Sequence, residues 1–260
     1  MRRARFLSAS AVLPLCLLLS AAQSPAPPQS PAPGAPQALP LPPVERPPSP
    51  PAITVILDPA HGGADSGAHS DVSEEGAVEK DLVLTIALAM RSELQRQGLR
   101  VILTRQTDVD LAINDRAALA NAIGAGFFVT LHVGSSGQPN TAETYSFGTP
   151  HGGAPPAFVP RPAGVEAVPW NDAQSPYLVP SRRFAELLQV ELAQKLPRSS
   201  DVPEFAEVRQ LRVVAHPAVA IELSSVAQDD PSALTKTAVP LANALARAIS
   251  VYRGISEGRR

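Results

Sequence analysis

From Ile53 onward the chain alternates between two hydrophobic periods. Ile53-Thr54-Val55-Ile56-Leu57 is a continuous apolar, β-branched run closed by Asp58-Pro59-Ala60-His61-Gly62-Gly63. An unbroken run of this length predicts a strand buried on both faces. The Pro and Gly residues predict the loop that ends it. Residues 79–97 carry Leu82, Val83, Ile86, Leu88, Ala89 and Leu94 at helical spacing, and Gly98 stops the pattern. Residues 99–103 predict a second strand and residues 111–123 a second amphipathic helix, ended by Gly124. Residues 127–131 predict a strand running into His132, and the alternating residues 143–147 another. Ser181 reads as the cap of a helix reaching about residue 196. Residues 208–214 and 219–223 predict two further strands, and residues 232–252 a closing helix with a kink or restart at Pro240. Strands alternating with helices in this way predict an α/β fold. It would be a single domain whose mainly parallel, twisted sheet carries helices on both faces.

Composition sets the N-terminal part apart from this domain. Residues 23–51 are almost wholly Pro, Ala, Ser and Gln, and the chain holds 29 Pro, more than twice the ordinary share of about 5%. Without apolar periodicity the segment predicts an extended, disordered linker of polyproline character. At about 3.1 Å per residue it would reach roughly 80–90 Å. Before it, Arg2, Arg3 and Arg5 precede an apolar run over 6–19 and then Ser20-Ala21-Ala22. That layout predicts a secretory signal peptide over 1–22. The protein is therefore expected to be exported, to the periplasm or cell wall, with membrane contact only if the segment stays uncleaved. The single cysteine, Cys16, lies in this segment, so a chain cut after Ala22 relies on no disulfide. A formal net charge of −2 offers no basic surface for nucleic acid.

Residues 148–180 interrupt the α/β pattern of a domain read as 52–255. They are rich in Pro, Gly and Ala and carry His151, Trp170, Asn171 and Tyr177. A long loop insertion of this kind is commonly functional, and a lid or substrate-shaping role is the expectation.

The candidate chemistry lies at strand ends. His61, His132 and Glu222 each end an apolar run, which is where open α/β sheets place active sites. Glu79 opens the first helix just beyond the loop after His61. In a parallel sheet all four would meet at one edge. Two His and one Glu form a usual catalytic zinc set with a position left for water. A further carboxylate can take that water's proton. Singly, each has a plainer reading: a strand-end His as a loop residue, or Glu79 as an acid favouring a helix start. Glu222, inside Ala218-Val219-Ala220-Ile221-Glu222-Leu223, resists one, because an ionised carboxylate among apolar neighbours is costly unless paired. Periodicity alone leaves open which edges coincide. Asp58 reads as an orienter of a ligand, a brace for the loop, or a turn residue before Pro59. Arg116 reads as a helix anchor. Trp170 and Tyr177 read as aromatics packed on the domain or stacked on sugar rings. His69, His151 and His216 read as loop or turn residues.

Several stretches together resemble the zinc-dependent N-acetylmuramoyl-L-alanine amidases of bacterial cell walls. They are Leu57-Asp58-Pro59-Ala60-His61-Gly62-Gly63, Val78-Glu79-Lys80-Asp81, Thr104-Arg105-Gln106-Thr107-Asp108, Asn114-Asp115-Arg116 with Ala120-Asn121, Val129-Thr130-Leu131-His132, and Pro217-Ala218-Val219-Ala220-Ile221-Glu222-Leu223. The resemblance implies one Zn2+ held by His61, Glu79 and His132, with Glu222 as catalytic acid/base. The substrate it implies is peptidoglycan, cut at the amide joining the lactyl group of N-acetylmuramic acid to L-alanine of the stem peptide. Zinc would lower the pKa of its water to about 7, and Glu222 would move that proton to the leaving amine. This chain departs from the family pattern at Ala60, where Gly is usual, at Val133-Gly134-Ser135, and at Leu223-Ser224-Ser225-Val226. The Arg many members carry ahead of the last strands has no clear match. In some relatives an inserted helix covers the zinc until a partner removes it. Residues 148–180 are too rich in Pro and Gly for such a helix, and no activating partner is specified.

Two other readings use the same residues. One is a zinc peptidase cutting within the stem peptide. The other is a non-catalytic peptidoglycan-binding or regulatory domain of the same fold, against which the intact Glu222 speaks.

Overall fold

A computed structural model describes residues 53–70, 76–148, 169–226 and 230–257. The signal-peptide and linker segments, residues 149–168 of the expected loop, and His151 with them, lie outside the described residues. In chain order the elements are β1 (Thr54–Pro59), α1 (Glu79–Arg96), β2 (Arg100–Leu103), α2 (Ile113–Asn121), β3 (Phe127–Val133), β4 (Ala142–Phe147), α3 (Leu178–Lys195), β5 (Glu204–Ala206), α4 (Arg209–Arg212), β6 (Ala218–Leu223), α5 (Pro231–Lys236) and α6 (Ala238–Glu257).

The strands form one six-stranded sheet in the order β2-β1-β3-β6-β4-β5. β2, β1, β3 and β6 are mutually parallel. β4 runs antiparallel to β6, and β5 is parallel to β4. The expected mainly parallel α/β sheet is therefore present. Because strand side chains alternate between faces, each strand feeds two cores. Val55, Leu57, Val129, Leu131, Val219 and Ile221 pack with α1, α3 and α6. Ile56, Phe128, Ala218 and Ala220 pack with Ala117 and Ala120 of α2 and Leu211 of α4. Helices thus cover both faces, which is why β1 is buried along its whole length.

α1 shows why the sequence folds as it does. Val83, Ile86, Met90 and Leu94 are wholly buried on one stripe, each contributing roughly 1.5–3 kcal/mol by leaving water. Glu79 and Asp81 lie in its first turn and Arg96 in its last, complementing the helix dipole. Gly98, at φ +83°, turns the chain into β2.

Three sequence expectations change, and one strand goes unpredicted. Residues 208–214 form no strand; they hold α4 and its flanks. Val208, Leu211 and Val214 recur every third residue, which suits a single helical turn packed toward α2. The edge strand β5 at Glu204–Ala206 was too short to leave a period-2 signal. Ser181 is not a cap: α3 begins at Leu178, and the buried Ser181 Oγ accepts from the Ala218 amide at 2.9 Å. The closing helix is two helices divided at Thr237. Pro240 sits in the first turn of α6, where a missing N–H is tolerated. Among the described residues no helix is long and apolar enough to cross a membrane.

One consequence of the topology positions the site. The parallel strands β1, β3 and β6 all end at the same edge, and α1 begins there. β4 runs the other way, so its first residues, Ala142 and Glu143, come to that edge too.

Candidate metal centre

His61 stands one residue beyond Ala60, just past the end of β1, with φ +59°. A non-glycine residue in this left-handed region is uncommon and persists only where its surroundings hold it. Two buried guanidinium groups do so. Arg105 donates to the carbonyls of Pro59 at 2.9 Å and Ala60 at 2.8 Å. Arg116 donates to the carbonyls of Pro59 at 2.8 Å and His61 at 2.6 Å. Gly62 follows at φ +129°, and a Cβ there would lie 2.3 Å from the Val109 carbonyl oxygen. Lys80 closes the loop, donating to the Gly63 carbonyl at 2.9 Å and to Asp108 at 2.7 Å.

The loop delivers His61 to Glu79 and His132. His61 Nε2 lies 3.1 Å from Glu79 Oε2, and His132 Nδ1 lies 3.0 Å from Glu79 Oε1. One ligating atom from each of the three residues falls within 4.8 Å of the others. The two imidazole rings meet edge to face with centroids 5.4 Å apart. Glu79 is held from behind: Oε2 accepts the Ala68 amide at 2.8 Å and Oε1 the Val133 amide at 3.0 Å. His61 is held through its other nitrogen, Nδ1 lying 2.9 Å from Asp65 Oδ2. Glu79 is almost fully buried, whereas each His keeps 20% of its side chain exposed.

The electrostatics match this crowding. Burial works to raise the Glu79 pKa, but hydrogen bonds from His132, His61 and the Ala68 amide outweigh it and hold the carboxyl far below its usual range. The Glu79 hydrogen bond raises the His61 pKa, against the opposing pull of burial and with help from Asp65. Two imidazole nitrogens and a carboxylate thus face one another at the solvent-open end of the sheet. That donor set suits a divalent cation of zinc type bound by three protein ligands with one position free.

Glu222 stands beside this group. It pairs Cα to Cα with His132 across the β3–β6 ladder. On its other side it pairs with Glu143 of β4. Glu143 Oε1 is buried without a hydrogen-bond partner. Burial first, and then the charges of Glu204 and Glu222, push the Glu143 pKa up to about 7. The same acidic patch, with burial again first, pushes Tyr145 up to about 12. So the carboxylate that looked out of place in an apolar strand lies at the sheet edge, near its end.

The other expected residues take these positions. Asp58 touches neither His61 nor His132 directly. Wholly buried, it accepts from Thr104 at 2.5 Å, Arg116 at 2.8 Å and Thr130 at 2.9 Å, so it braces the loop through Arg116. Arg116 is the anchor expected. His216 is buried and bonds the Ala120 carbonyl, and His69 meets Ser66. Trp170 is exposed, with Nε1 donating to Asn114 at 3.1 Å, and Tyr177 lies beside the His216 ring. Sequence reading missed Asp65, Arg105 and Glu143 as parts of the site. Asp65 carried a weak signal, an acid four residues after a loop histidine. Arg105 was visible only as part of a matching stretch, and Glu143 only as one position of an alternating strand.

A family model described as N-acetylmuramoyl-L-alanine amidase matches residues 55–251. The chain is 40% identical over 105 residues, 40% of its length, to the sporulation-specific N-acetylmuramoyl-L-alanine amidase of Bacillus subtilis. It is 37% identical over 104 residues, again 40% of its length, to the N-acetylmuramoyl-L-alanine amidase AmiA of Escherichia coli. The chain spans 38% and 35% of the lengths of these two relatives. Among solved structures it superimposes on an N-acetylmuramoyl-L-alanine amidase from Clostridium difficile with a TM-score of 0.57 and 25% identity. That match covers 78% of this chain and 97% of the other.

Proposed function

The chain belongs to the N-acetylmuramoyl-L-alanine amidase family, and from that premise we propose that it is an exported zinc hydrolase of peptidoglycan. The bond cut is the amide between the lactyl group of N-acetylmuramic acid and L-alanine of the stem peptide. The observation that supports this most is the convergence of His61, Glu79 and His132 within 4.8 Å, with Glu222 one strand away at the same edge. In this reading the three are the zinc ligands and Glu222 is the catalytic acid/base.

Bound by these three residues, zinc would supply Lewis acidity and would bring the pKa of the attacking water down to about 7. The chain's own residues do the rest. Asp65 and the amides of Ala68 and Val133 orient His61 and Glu79. Glu222 accepts a proton from the attacking water and passes it to the departing alanine nitrogen, so that the amine leaves neutral. The domain, 52–255, follows an export signal over 1–22 and a proline-rich tether over 23–51, and acts in the periplasm or cell wall.

Mass spectrometry of sacculi digested by zinc-loaded protein, with and without chelator, tests the reading. The expected products are glycan strands with free lactyl carboxylates and stem peptides with a free L-alanine amine, both absent with chelator. Cuts within the stem peptide would make the protein a peptidase instead. Binding to sacculi with no soluble product would make it a wall-binding domain.

A further inference from the structure

Thr130 lies between the buried carboxylate and one of the histidines. Its Oγ1 donates to Asp58 Oδ2 at 2.9 Å and sits 3.5 Å from His132 Nε2. Strand geometry creates this alignment. Asp58 and Thr130 are register partners on β1 and β3. Thr130 and His132, two residues apart on β3, share a face. Asp58 Oδ1 is already taken by Arg116 and Thr104, so the carboxylate is pinned and acts only as an acceptor.

A hydroxyl has one hydrogen, and Thr130 gives it to Asp58. The approach of His132 to Thr130 is then favourable only if His132 Nε2 carries the hydrogen and donates it. With a cation held by Nδ1 and Glu79 Oε1, which stand 3.0 Å apart, the neutral ring carries its one hydrogen on Nε2, facing Thr130. His61 is arranged the opposite way: its Nδ1 faces Asp65, leaving Nε2 for Glu79.

Resting on the zinc reading of the site, we propose that Thr130, backed by Asp58, is a positioning residue that accepts the Nε2–H of His132 and so holds its Nδ1 toward the cation. The two histidines thus present different nitrogens, each backed by its own acid. Asp65 is largely exposed and acts directly; Asp58 is wholly buried and acts through a hydroxyl. Asp58 also reaches the first histidine, since Arg116 bonds both its carboxylate and the His61 carbonyl. One buried carboxylate thereby ties the backbone of one ligand to the ring of the other. Outer-sphere partners of this kind typically change metal affinity 10–100-fold.

The test compares the full chain with Thr130→Val, which removes the hydroxyl at nearly the same shape, and Thr130→Ser, which keeps it. Zinc affinity is read by competition with a chromophoric chelator. The protonated nitrogen is read by 15N NMR of histidine-labelled, zinc-loaded wild type, with His132→Ala assigning the signal. Expected are an Nε2–H pattern for His132, zinc binding about 10–100-fold weaker in Thr130→Val, and near-wild-type binding in Thr130→Ser. An Nδ1–H pattern in the wild type, or equal zinc affinity in Thr130→Val, overturns the proposal. The wild-type spectrum needs no variant, so a Thr130→Val protein that fails to fold still leaves the proposal open to refutation. Wild type that binds no zinc would sink the metal reading itself, an outcome distinct from either.

Discussion

Glu222 Oε1 occupies the space that a side chain at Gly134 would need: a Cβ there would lie 2.5 Å from it. Gly134 follows β3 two residues after His132, and His132 is the register partner of Glu222. The departure from the family pattern after His132 therefore falls directly on the proposed acid/base. Gly134→Ala is expected to turn the carboxylate aside and lower kcat, toward the roughly 10²–10⁴-fold that general acid–base catalysis supplies. Zinc affinity should stay at the wild-type value. Steady-state kinetics with a parallel zinc titration checks both, and unchanged kcat would mean the carboxylate has room to spare.

Glu222→Gln tests the role without moving the backbone. The variant should bind zinc as the wild type does and lose about 10²–10⁴-fold in kcat. Equimolar zinc by elemental analysis with full activity would remove Glu222 from the mechanism.

Gly67 makes the corresponding close contact on the metal side. It sits at φ +67°, and an added Cβ would lie 2.5 Å from Glu79 Oε2 and 2.7 Å from His61 Cδ2. Gly67→Ala should weaken zinc binding while leaving Glu222 undisturbed. Raising the zinc concentration should then restore much of the lost activity, whereas it should not rescue Glu222→Gln.

Arg116 carries a stability prediction. It pairs at 2.8 Å with Asp58, with side-chain exposures of 6% and 0%. Arg116→Leu strands a buried carboxylate, a change that typically destabilises by about 3–5 kcal/mol. Arg116→Lys should recover little, because one ammonium cannot reproduce the fork that serves Asp58, Pro59, Leu111 and His61 together. Thermal melts of the three proteins measure this, and a lysine variant as stable as wild type would show that charge alone suffices.

Glu143 predicts a pH dependence. Its carboxyl, ordinarily near 4.5, is pushed up to about 7, by burial first and then by Glu204 and Glu222. A group that holds its proton more tightly folded than unfolded makes the protein less stable as pH rises between those two values. Glu143→Gln mimics the protonated form, so it should melt like wild type at pH 4 and higher than wild type at pH 8. A gap of the same size at both pH values would place the destabilisation elsewhere.

How much of this was legible without a structure differs from element to element. Buried strands β1, β3 and β6 were readable because parallel strands covered on both faces are written as unbroken apolar runs. α1 was readable because it keeps one apolar stripe through five turns. β5 and α4 were not, because three or four residues carry too little pattern to separate one period from another. The four proposed site residues stood out as polar groups at the ends of apolar segments, and the fold places those ends together.

Sequence by itself determined which residue types sit at strand ends, and the matching stretches from Leu57 to Leu223 pointed to the family. Tertiary structure alone decided what holds those residues in place. Asp58 was expected to touch a ligand or the loop; register puts it opposite Thr130, and so within reach of both histidines by way of Arg116 and the Thr130 hydroxyl. Glu143 was one position of an alternating strand until the antiparallel ladder set it against Glu222. The physical reason is the same in both cases. Periodicity specifies the face of a strand, but the identity and register of its neighbours depend on pairing between segments distant in sequence, and no local pattern encodes that.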